Sequence, residues 1–325
     1  MPFAVREGGS ENYSRLTRIS SAAGCPDRKA LRVLYFSRVR AGRPTGRRRV
    51  STLPLGPSKM DYLSVVILGI VQGITEFLPI SSDGHLAIAE ALYTAATRRT
   101  FPPGLELTIA LHAGTLFSIL VVFWRRVVAL LRQDRRVIGL IIVGTLPLVP
   151  AALLLELLGE AMLKSPLVTG LLLPVNGLIL IWAARRPPGE MEYQQISYRQ
   201  ALLIGLFQAI APLPGISRSG STIAAGLFVG LRREAAATFS FLLGLAALSG
   251  ACVKYLLFGS FAGMAWQPVL LGAVVAFLVG VLALRWLLKW LVGGRLVVFA
   301  WWCFGLGAVV VAWQLAVMAF KVQNG

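Results

Sequence analysis

Cysteine and histidine are scarce in this chain. Its 325 residues include three cysteines, Cys25, Cys252 and Cys303, and two histidines, His85 and His112. The cysteines show neither metal-ligand spacing nor a disulfide pattern. Cys252 and Cys303 lie in apolar segments, where a small buried thiol is common. A zinc site built from cysteine and histidine is therefore not expected.

Charged residues are also few, at 14% of the chain, against 56% hydrophobic residues and a mean hydropathy of +0.72. A soluble domain carries about 25% charged residues. Long apolar stretches such as Gly139–Leu158 and Ser165–Ala184 are near the roughly 20 residues that cross a bilayer. A large soluble protein with buried helices is the alternative, but several consecutive stretches of this length argue against it. The composition predicts a multi-spanning integral membrane protein.

Acidic residues are outnumbered, and the net charge is +18. Residues 1–59 hold 13 basic and 3 acidic residues, so more than half of the excess lies in the first fifth of the chain. The other basic residues flank apolar segments, where they set membrane orientation. No nucleic-acid partner is predicted.

Residues 1–59 are rich in Arg, Ser, Gly and Pro and lack a sustained apolar period, which predicts a basic, disordered extension. No apolar core follows the basic residues, so a signal peptide is not indicated. We interpret Met60 as the biological start, with a basic cytosolic arm as the alternative. The membrane domain would then be residues 60–325.

The apolar segments after Met60 predict an all-α protein with about six full transmembrane helices and two interrupted pairs of short helices. The first pair covers about Tyr62–Phe77 and Gly84–Ala95, and the second covers about Ala201–Leu213 and Gly220–Leu231. The full spans are predicted near Leu105–Phe123, Val137–Leu158, Pro166–Ala184, Ala236–Phe258, Pro268–Leu288 and Leu296–Ala319.

An internal repeat relates the two halves. A shift of 136 residues places Gly69 on Gly205, Gln72 on Gln208 and Ser81 on Ser217, and it also superposes the three later spans. Repeat one covers about residues 60–190 and repeat two about 196–322. If each interrupted pair is a re-entrant hairpin, each repeat crosses three times, and the repeats have inverted topology.

Basic residues give the orientation. Three basic groups fall on one side of the predicted topology, taken as the cytoplasm. This places the ends of the first hairpin outside and those of the second inside. The groups are Arg125, Arg126, Arg132, Arg135 and Arg136; Arg185, Arg186, Arg199, Arg232 and Arg233; and Arg285, Lys289 and Arg295.

The first interrupted segment reads QGITEFLPISSDGH from Gln72 to His85. Gln72 and Glu76 are four residues apart and share a helical face. Pro79 ends that helix, and Ser81, Ser82 or Asp83 can cap the next one. Ionisable groups at membrane depth are costly and usually mark function. The alternative is a capped turn at the membrane surface with a solvated Glu76 and His85.

The second interrupted segment contains PGISRSGST from Pro214 to Thr222. Gly215 and Gly220 permit close backbone approach, and a helix that begins near Gly220 directs free N–H groups at an anion. Arg218 adds a planar fork that matches phosphate oxygens. The pattern predicts a phosphate site, and the alternative is Arg218 as a snorkelling residue beside a kink.

Inverted symmetry would bring the two loops together near the middle of the membrane. The combined set contains an acid or base pair (Glu76, His85), one cation (Arg218) and hydroxyls (Ser82, Ser217, Thr222). It suits attack at phosphorus, where charge stabilisation dominates. We interpret His112 as a hydrogen-bonded structural residue, with a place in the cavity as the alternative, and Asn176 as an interfacial or interhelical polar contact.

The two segments resemble the signatures of the undecaprenyl-diphosphate phosphatases, also called bacitracin-resistance proteins. The resemblance runs from Met60 nearly to the C-terminus. Asp83 departs from the family, which usually has Ser, Thr or Ala there. The resemblance implies hydrolysis of a C55 isoprenyl diphosphate at the outer face of the bacterial inner membrane, which recycles the carrier of cell-wall precursors. It also implies a divalent cation, Mg²⁺ or Ca²⁺.

By resemblance, family active-site positions fall on Glu76, Ser82, His85, Ser217, Arg218 and Thr222. Our hypothesis is that Arg218 and the amides of Ser217–Thr222 hold the diphosphate, and that His85 is the general acid or base. Gln72 and Glu76 would bind metal or water. A covalent route through Ser82 or Ser217 stays open. The remaining predicted substrate contacts are Ser81, Gly215 and Ser219.

Two other functions compete with hydrolysis. A lipid-phosphate flippase or secondary transporter also uses inverted repeats with broken helices. A membrane scaffold gives no reason for Glu76 and Arg218 inside apolar segments. The expected partners are the polyprenyl diphosphate and membrane lipids, and the oligomeric state is left open, a homodimer included.

Overall fold

The computed structural model describes residues 62–97, 105–158, 165–187, 189–259 and 265–324. The predicted N-terminal extension, residues 1–59, lies outside these ranges. The described residues are almost all helical and form no strand beyond an isolated bridge between Met191 and Leu231. The helices are α1 (Tyr62–Thr75), α2 (Ser82–Thr97), α3 (Leu105–Gln133), α4 (Arg135–Thr145), α5 (Leu148–Leu158), α6 (Pro166–Ala184), α7 (Tyr198–Ala209), α8 (Arg218–Phe228), α9 (Arg233–Phe258), α10 (Trp266–Val292) and α11 (Leu296–Asn324).

Six helical segments of the described residues are long and apolar enough to cross a bilayer. The all-α membrane fold class is therefore confirmed. The segments are Glu106–Arg132, Arg135–Leu155, Pro166–Ala184, Arg233–Phe258, Trp266–Val292 and Leu296–Gln323. The second of these is interrupted between α4 and α5 beside Pro147, which lacks the N–H that a continuous helix would use.

Two pairs of short helices stand where the interrupted segments were predicted, α1 with α2 and α7 with α8. The first helices begin at Tyr62 and Tyr198, and the second helices begin at Ser82 and Arg218, so both starts differ by the 136 residues of the repeat. The inverted relation of the repeats, and the side from which each hairpin enters the membrane, stay predictions.

The first helix of each short pair packs on a span of the other half of the chain. Helix α1 packs on α10, and α7 packs on α4. The contacts depend on glycine: a Cβ on Gly73 would lie 2.9 Å from the Ala276 carbonyl oxygen, and one on Gly205 would lie 2.5 Å from that of Gly144. Because α1 and α7 each pack on the other half of the chain, the loop that follows α1 lies close to the loop that follows α7.

Three aromatic rings fill the centre of the bundle between α3 and α9. Phe241 lies between Phe77, at 5.9 Å between ring centroids, and Phe123, at 5.8 Å. All three are buried, as is the neighbouring Ile119. This aromatic core separates the two ends of the α3–α9 pair.

Candidate active site

Glu76 is the most highly connected buried carboxylate of the described residues. It follows α1 directly and is 7% exposed. Its Oε1 accepts a bond from Arg218 Nη2 at 2.6 Å, and its Oε2 accepts bonds from Gln72 Nε2 and Ser82 Oγ at 2.9 Å each. A buried charge is costly unless it is paired and hydrogen-bonded. Arg218, from the other half of the chain, satisfies that requirement.

The two loops are also joined through serine hydroxyls. Ser81 Oγ accepts from the backbone N–H of Gly84 at 3.3 Å and from that of Gly215 at 3.1 Å. Ser219 Oγ donates to the Phe77 carbonyl at 3.0 Å. Ser81 has a φ of 71°, which a non-glycine residue adopts at a cost. The cross-loop bond offsets that cost and fixes the turn before α2.

Asn176 on α6 connects both loops from behind. Its Nδ2 donates to the Pro79 carbonyl at 2.8 Å, and its Oδ1 accepts from the Ser217 N–H at 3.0 Å. The residue is completely buried. The sequence predicts no more than a polar contact here, although an amide in the middle of an apolar span is itself a signal of function.

The second loop presents a helix N-terminus to the first. Ser217 caps α8, with its Oγ accepting from the Gly220 N–H at 3.1 Å. The first N–H groups of a helix have no partner within that helix, so this end attracts an anion. The Arg218 guanidinium lies at the same end and passes close to Gly244, where a Cβ would lie 1.7 Å from Nη1.

A cavity of about 220 Å³ opens beside this pair. Its walls come from both loops and from α3, α5 and α9. The polar residues that line it are Glu76, Ser81, Ser82, Asp83, Thr108, His112, Ser217 and Arg218. The structure therefore gathers most of the predicted catalytic and substrate-binding side chains around one space.

His85 lies away from that space. It does not line the cavity, and both of its ring nitrogens have partners: Nδ1 donates to the Ser81 carbonyl at 2.7 Å, and Nε2 accepts from Trp302 Nε1 at 3.0 Å. These partners define the tautomer. The acid–base role predicted for His85 stays a prediction, and the geometry gives this residue a structural place behind the first loop.

His112 lies in the cavity instead. Its Nδ1 donates to the Thr108 carbonyl at 2.8 Å, which directs Nε2 toward two carboxylates. Nε2 is 3.8 Å from Glu76 Oε2 and 4.0 Å from Asp83 Oδ1. His112 is thus both hydrogen-bonded and a lining residue. The apolar sequence around His112 favours a structural role, and the structure adds the place in the cavity.

The other predicted site residues lie behind the cavity wall. Thr222 Oγ1 donates to the Arg218 carbonyl at 2.8 Å and shares a hydrogen bond of 2.6 Å with Ser240 Oγ. Gly215 and Ser219 are held in the cross-loop bonds, and Gly215 has a φ of 102°. These residues shape the loop that carries Arg218.

The predicted divalent cation can be tested against the donor atoms. No group of three or more His, Cys, Asp or Glu side chains within the described ranges is placed to hold a metal by itself. However, Gln72 Oε1 is buried without a hydrogen-bond partner beside Glu76, and Asp83 lines the same cavity. Mg²⁺ and Ca²⁺ prefer oxygen donors, and Mg²⁺ is commonly shared between one or two carboxylates and substrate phosphates. The donor set fits such a shared ion.

This arrangement defines a class of site: a carboxylate, a hydroxyl and an arginine at a helix N-terminus, enclosed in a bundle of membrane-spanning helices, which together can bind and activate a phosphate group. The chain belongs to the family of the bacitracin resistance protein BacA, whose sequence model matches residues 65–309.

This chain covers nearly the whole length of its curated relatives. An undecaprenyl-diphosphatase of Rhodopirellula baltica is 48% identical over 259 residues, which is 78% of this chain and 99% of the relative. Undecaprenyl-diphosphatases of Desulforapulum autotrophicum and Methanosphaera stadtmanae are 37% and 35% identical, over 77% and 78% of this chain and 97% and 98% of theirs. The family resemblance given by the two loop motifs is confirmed.

Proposed function

We propose that this protein hydrolyses undecaprenyl diphosphate to undecaprenyl phosphate and inorganic phosphate, which recycles the lipid carrier for cell-wall synthesis. The relatives named above carry this activity in their names. The observation that carries the proposal is the buried Glu76–Arg218 pair beside Ser82. It supplies an anion-binding cation and a proton acceptor at the same point.

Substrate binding would begin at Arg218. A diphosphate carries more negative charge than one carboxylate, and a guanidinium binds phosphate oxygens in bidentate geometry. The phosphate oxygens would replace Glu76 Oε1 at the Arg218 guanidinium, and the N-terminus of α8 would neutralise further charge. Glu76 would then be free to accept a proton.

The hydroxyl closest to that carboxylate is Ser82. The 2.9 Å bond from Ser82 Oγ to Glu76 Oε2 has the geometry of a nucleophile and its base. Ser82 Oγ would attack the terminal phosphorus while its proton moves to Glu76, and the bond to the bridging oxygen would break to release the lipid monophosphate. Water would then attack the phosphoserine and release inorganic phosphate.

His112 and a divalent cation complete the proposed site. His112 Nε2 lies between Glu76 and Asp83, where it can receive the proton that Glu76 collects. Glu76 and Gln72 Oε1 would hold the cation together with the substrate phosphates, with Asp83 close by. When bound, the cation supplies charge neutralisation at the transferring phosphoryl group.

We assign the protein to the bacterial inner membrane, with the cavity open to the outer face. The distribution of basic residues supports this orientation. Substrate and membrane lipids are the expected partners, and a homodimer is the expected form of any self-association. The transporter alternative is less favoured, because the relatives are named as phosphatases and the aromatic core of Phe77, Phe123 and Phe241 separates the cavity from the other end of the bundle.

Phosphate release from the purified protein with undecaprenyl diphosphate tests the proposal. We expect Glu76→Gln to lower kcat by about 10³-fold or more, because general-base catalysis alone contributes 10²–10⁴-fold. His112→Gln should cost on the order of tenfold to 100-fold. His85→Gln, which lies outside the cavity, should lower kcat less than His112→Gln does.

Three outcomes would contradict parts of this scheme. Normal turnover of Glu76→Gln would remove Glu76 from catalysis. Full turnover of Ser82→Ala would show that water attacks phosphorus directly, since no phosphoserine could form. Lipid diphosphate movement across vesicles without phosphate release would favour the transporter.

A further inference from the structure

A second and larger cavity lies at the other end of the α3–α9 pair. Its volume is about 880 Å³, and it is lined by residues 121–126 of α3, by Glu234 and Thr238 of α9, and by residues of α10. On α9, Thr238 is nine residues from Ala247, which lines the catalytic cavity. At 1.5 Å per residue this corresponds to about 13 Å. The aromatic core of Phe77, Phe123 and Phe241 fills the space between the cavities.

Four cationic side chains converge on this cavity. Arg125 and Arg126 come from α3, and Arg285 and Lys289 come from α10. Arg285 and Lys289 are four residues apart on one helix face, a spacing at which like charges destabilise a helix. None of the four forms an ion pair with a carboxylate of the described side chains. Such a cluster is stabilised by a bound anion.

The single carboxylate in the lining is already engaged. Glu234 Oε2 lies 2.9 Å from Arg232 Nη1. Arg232 also contacts Glu192 through its Nε. Glu234 therefore neutralises a cation outside the cavity, and the four cations inside it retain their excess charge.

The walls of the cavity are apolar on the side that faces outward. Val121, Trp124 and Val292 line it and are exposed, and exposed apolar side chains on membrane-spanning helices contact acyl chains. Helix α3 kinks at Phe123, with φ −105° and ψ 16°, immediately before Trp124 and the two arginines. Tryptophan is enriched at the level of the lipid head groups. The charges therefore lie at head-group depth beside an opening to the acyl chains.

We infer that this cavity is a second ligand site, which binds the phosphate head group of an anionic phospholipid. The four cations hold the phosphate, and the apolar wall of Val121, Trp124 and Val292 accepts the start of the acyl chains. The site is separate from the catalytic cavity, and its occupancy does not depend on hydrolysis. A pocket of this size is in the range of small-molecule sites.

Native mass spectrometry of the purified full chain, titrated with phosphatidylglycerol and with phosphatidylcholine, tests the inference. We expect one phosphatidylglycerol to be retained in preference to phosphatidylcholine. The double variant Arg285→Gln/Lys289→Gln should bind it about 30-fold more weakly, because two basic residues near the membrane surface together contribute about 2 kcal/mol.

The matched control is Arg132→Gln/Arg135→Gln, which removes two cations that lie close to α3's end but do not line the cavity. It should keep the wild-type affinity. If both variants lose the same affinity for phosphatidylglycerol, the lipid is attracted by the basic surface in general, and the inference is overturned. Binding of inorganic phosphate as tight as that of phosphatidylglycerol would also overturn the inference, since the site would then be one for small anions.

The thermal midpoint of both variants, measured in parallel, shows whether they are folded. Specific loss of lipid in Arg285→Gln/Lys289→Gln supports the inference whether or not the wild-type chain hydrolyses undecaprenyl diphosphate. Failure of the proposed function and failure of the lipid site are thus distinguishable.

Discussion

The two loops of this protein occupy equivalent positions in the repeat and have different chemistry. The first loop and the start of α2 carry Glu76, Ser82 and Asp83, whereas the second loop leads into Arg218 at the N-terminus of α8. Neither is stable alone at this depth, because each would leave a charge unpaired in a low-dielectric environment. The two similar helix pairs therefore carry one anionic and one cationic half of a single site.

Among substitutions that leave the cavity-lining side chains unchanged, the largest expected effect comes from moving Arg218. A Cβ on Gly244 would lie 1.7 Å from Arg218 Nη1, so Gly244→Ala must displace the guanidinium. A misplacement of about 1 Å can cost about 10²-fold in rate, and we expect kcat/KM for undecaprenyl diphosphate to fall by about that factor.

Gly250→Ala is the matched control for this prediction. It lies on the same helix, α9, and a Cβ there meets nothing within 4 Å. Alanine raises helix propensity by about 0.8–1.0 kcal/mol at both positions. Activity should therefore fall only in Gly244→Ala, and an equal loss in both variants would show that Arg218 placement is not the cause.

The next effect concerns the residue that joins the loops. Asn176→Ala leaves the Pro79 carbonyl and the Ser217 N–H without their partner. Unpaired buried polar groups cost roughly 1–3 kcal/mol each. We expect a lower thermal midpoint and about a tenfold loss of kcat, measured by a thermal-shift assay and by phosphate release.

Thr169→Val on the same helix, α6, is the control for Asn176→Ala. Thr169 Oγ1 is buried and has no hydrogen-bond partner, and the substitution conserves shape. It should lower neither stability nor turnover, because it removes a buried hydroxyl that has no partner. A similar loss in both variants would mean that packing of α6, and not the bond between the loops, determines the effect.

Much of this site was predictable, for physical reasons that can be named. Spacing placed Gln72 and Glu76 on one helix face, and the hydrogen bond between them confirms it. Ser81 was among the predicted caps, and its Oγ accepts from the Gly84 N–H. Both features are local, so they follow from the sequence around them.

Long-range contacts were not predictable in the same way. Trp302 and Gly244 are more than 150 residues from the first loop, and nothing near them in the sequence indicates a partner. The different placement of His85 and His112 also depends on long-range packing. His85 has its place in a dense polar motif, but the rotation of α2 turns it toward Trp302, whereas α3 turns His112 into the cavity.

The smallest expected effect sharpens that difference. Trp302→Phe keeps an aromatic ring and removes the Nε1 donor that His85 Nε2 accepts from. One neutral hydrogen bond contributes about 0.5–1.5 kcal/mol. Because His85 does not line the cavity, we expect the lower part of that range, a fall in kcat of about two- to fivefold. Trp301→Phe, the exposed neighbour whose ring packs on Phe304 at 5.8 Å, should have no effect.

A double-mutant cycle decides how Trp302 acts. If it orients His85, then Trp302→Phe has no further effect on kcat in a His85→Gln background, because the bond it supplies is already lost. If the two substitutions lower kcat independently, Trp302 supports the first loop by some other contact. The cycle therefore shows whether the effect of Trp302 on turnover passes through His85 or is independent of it.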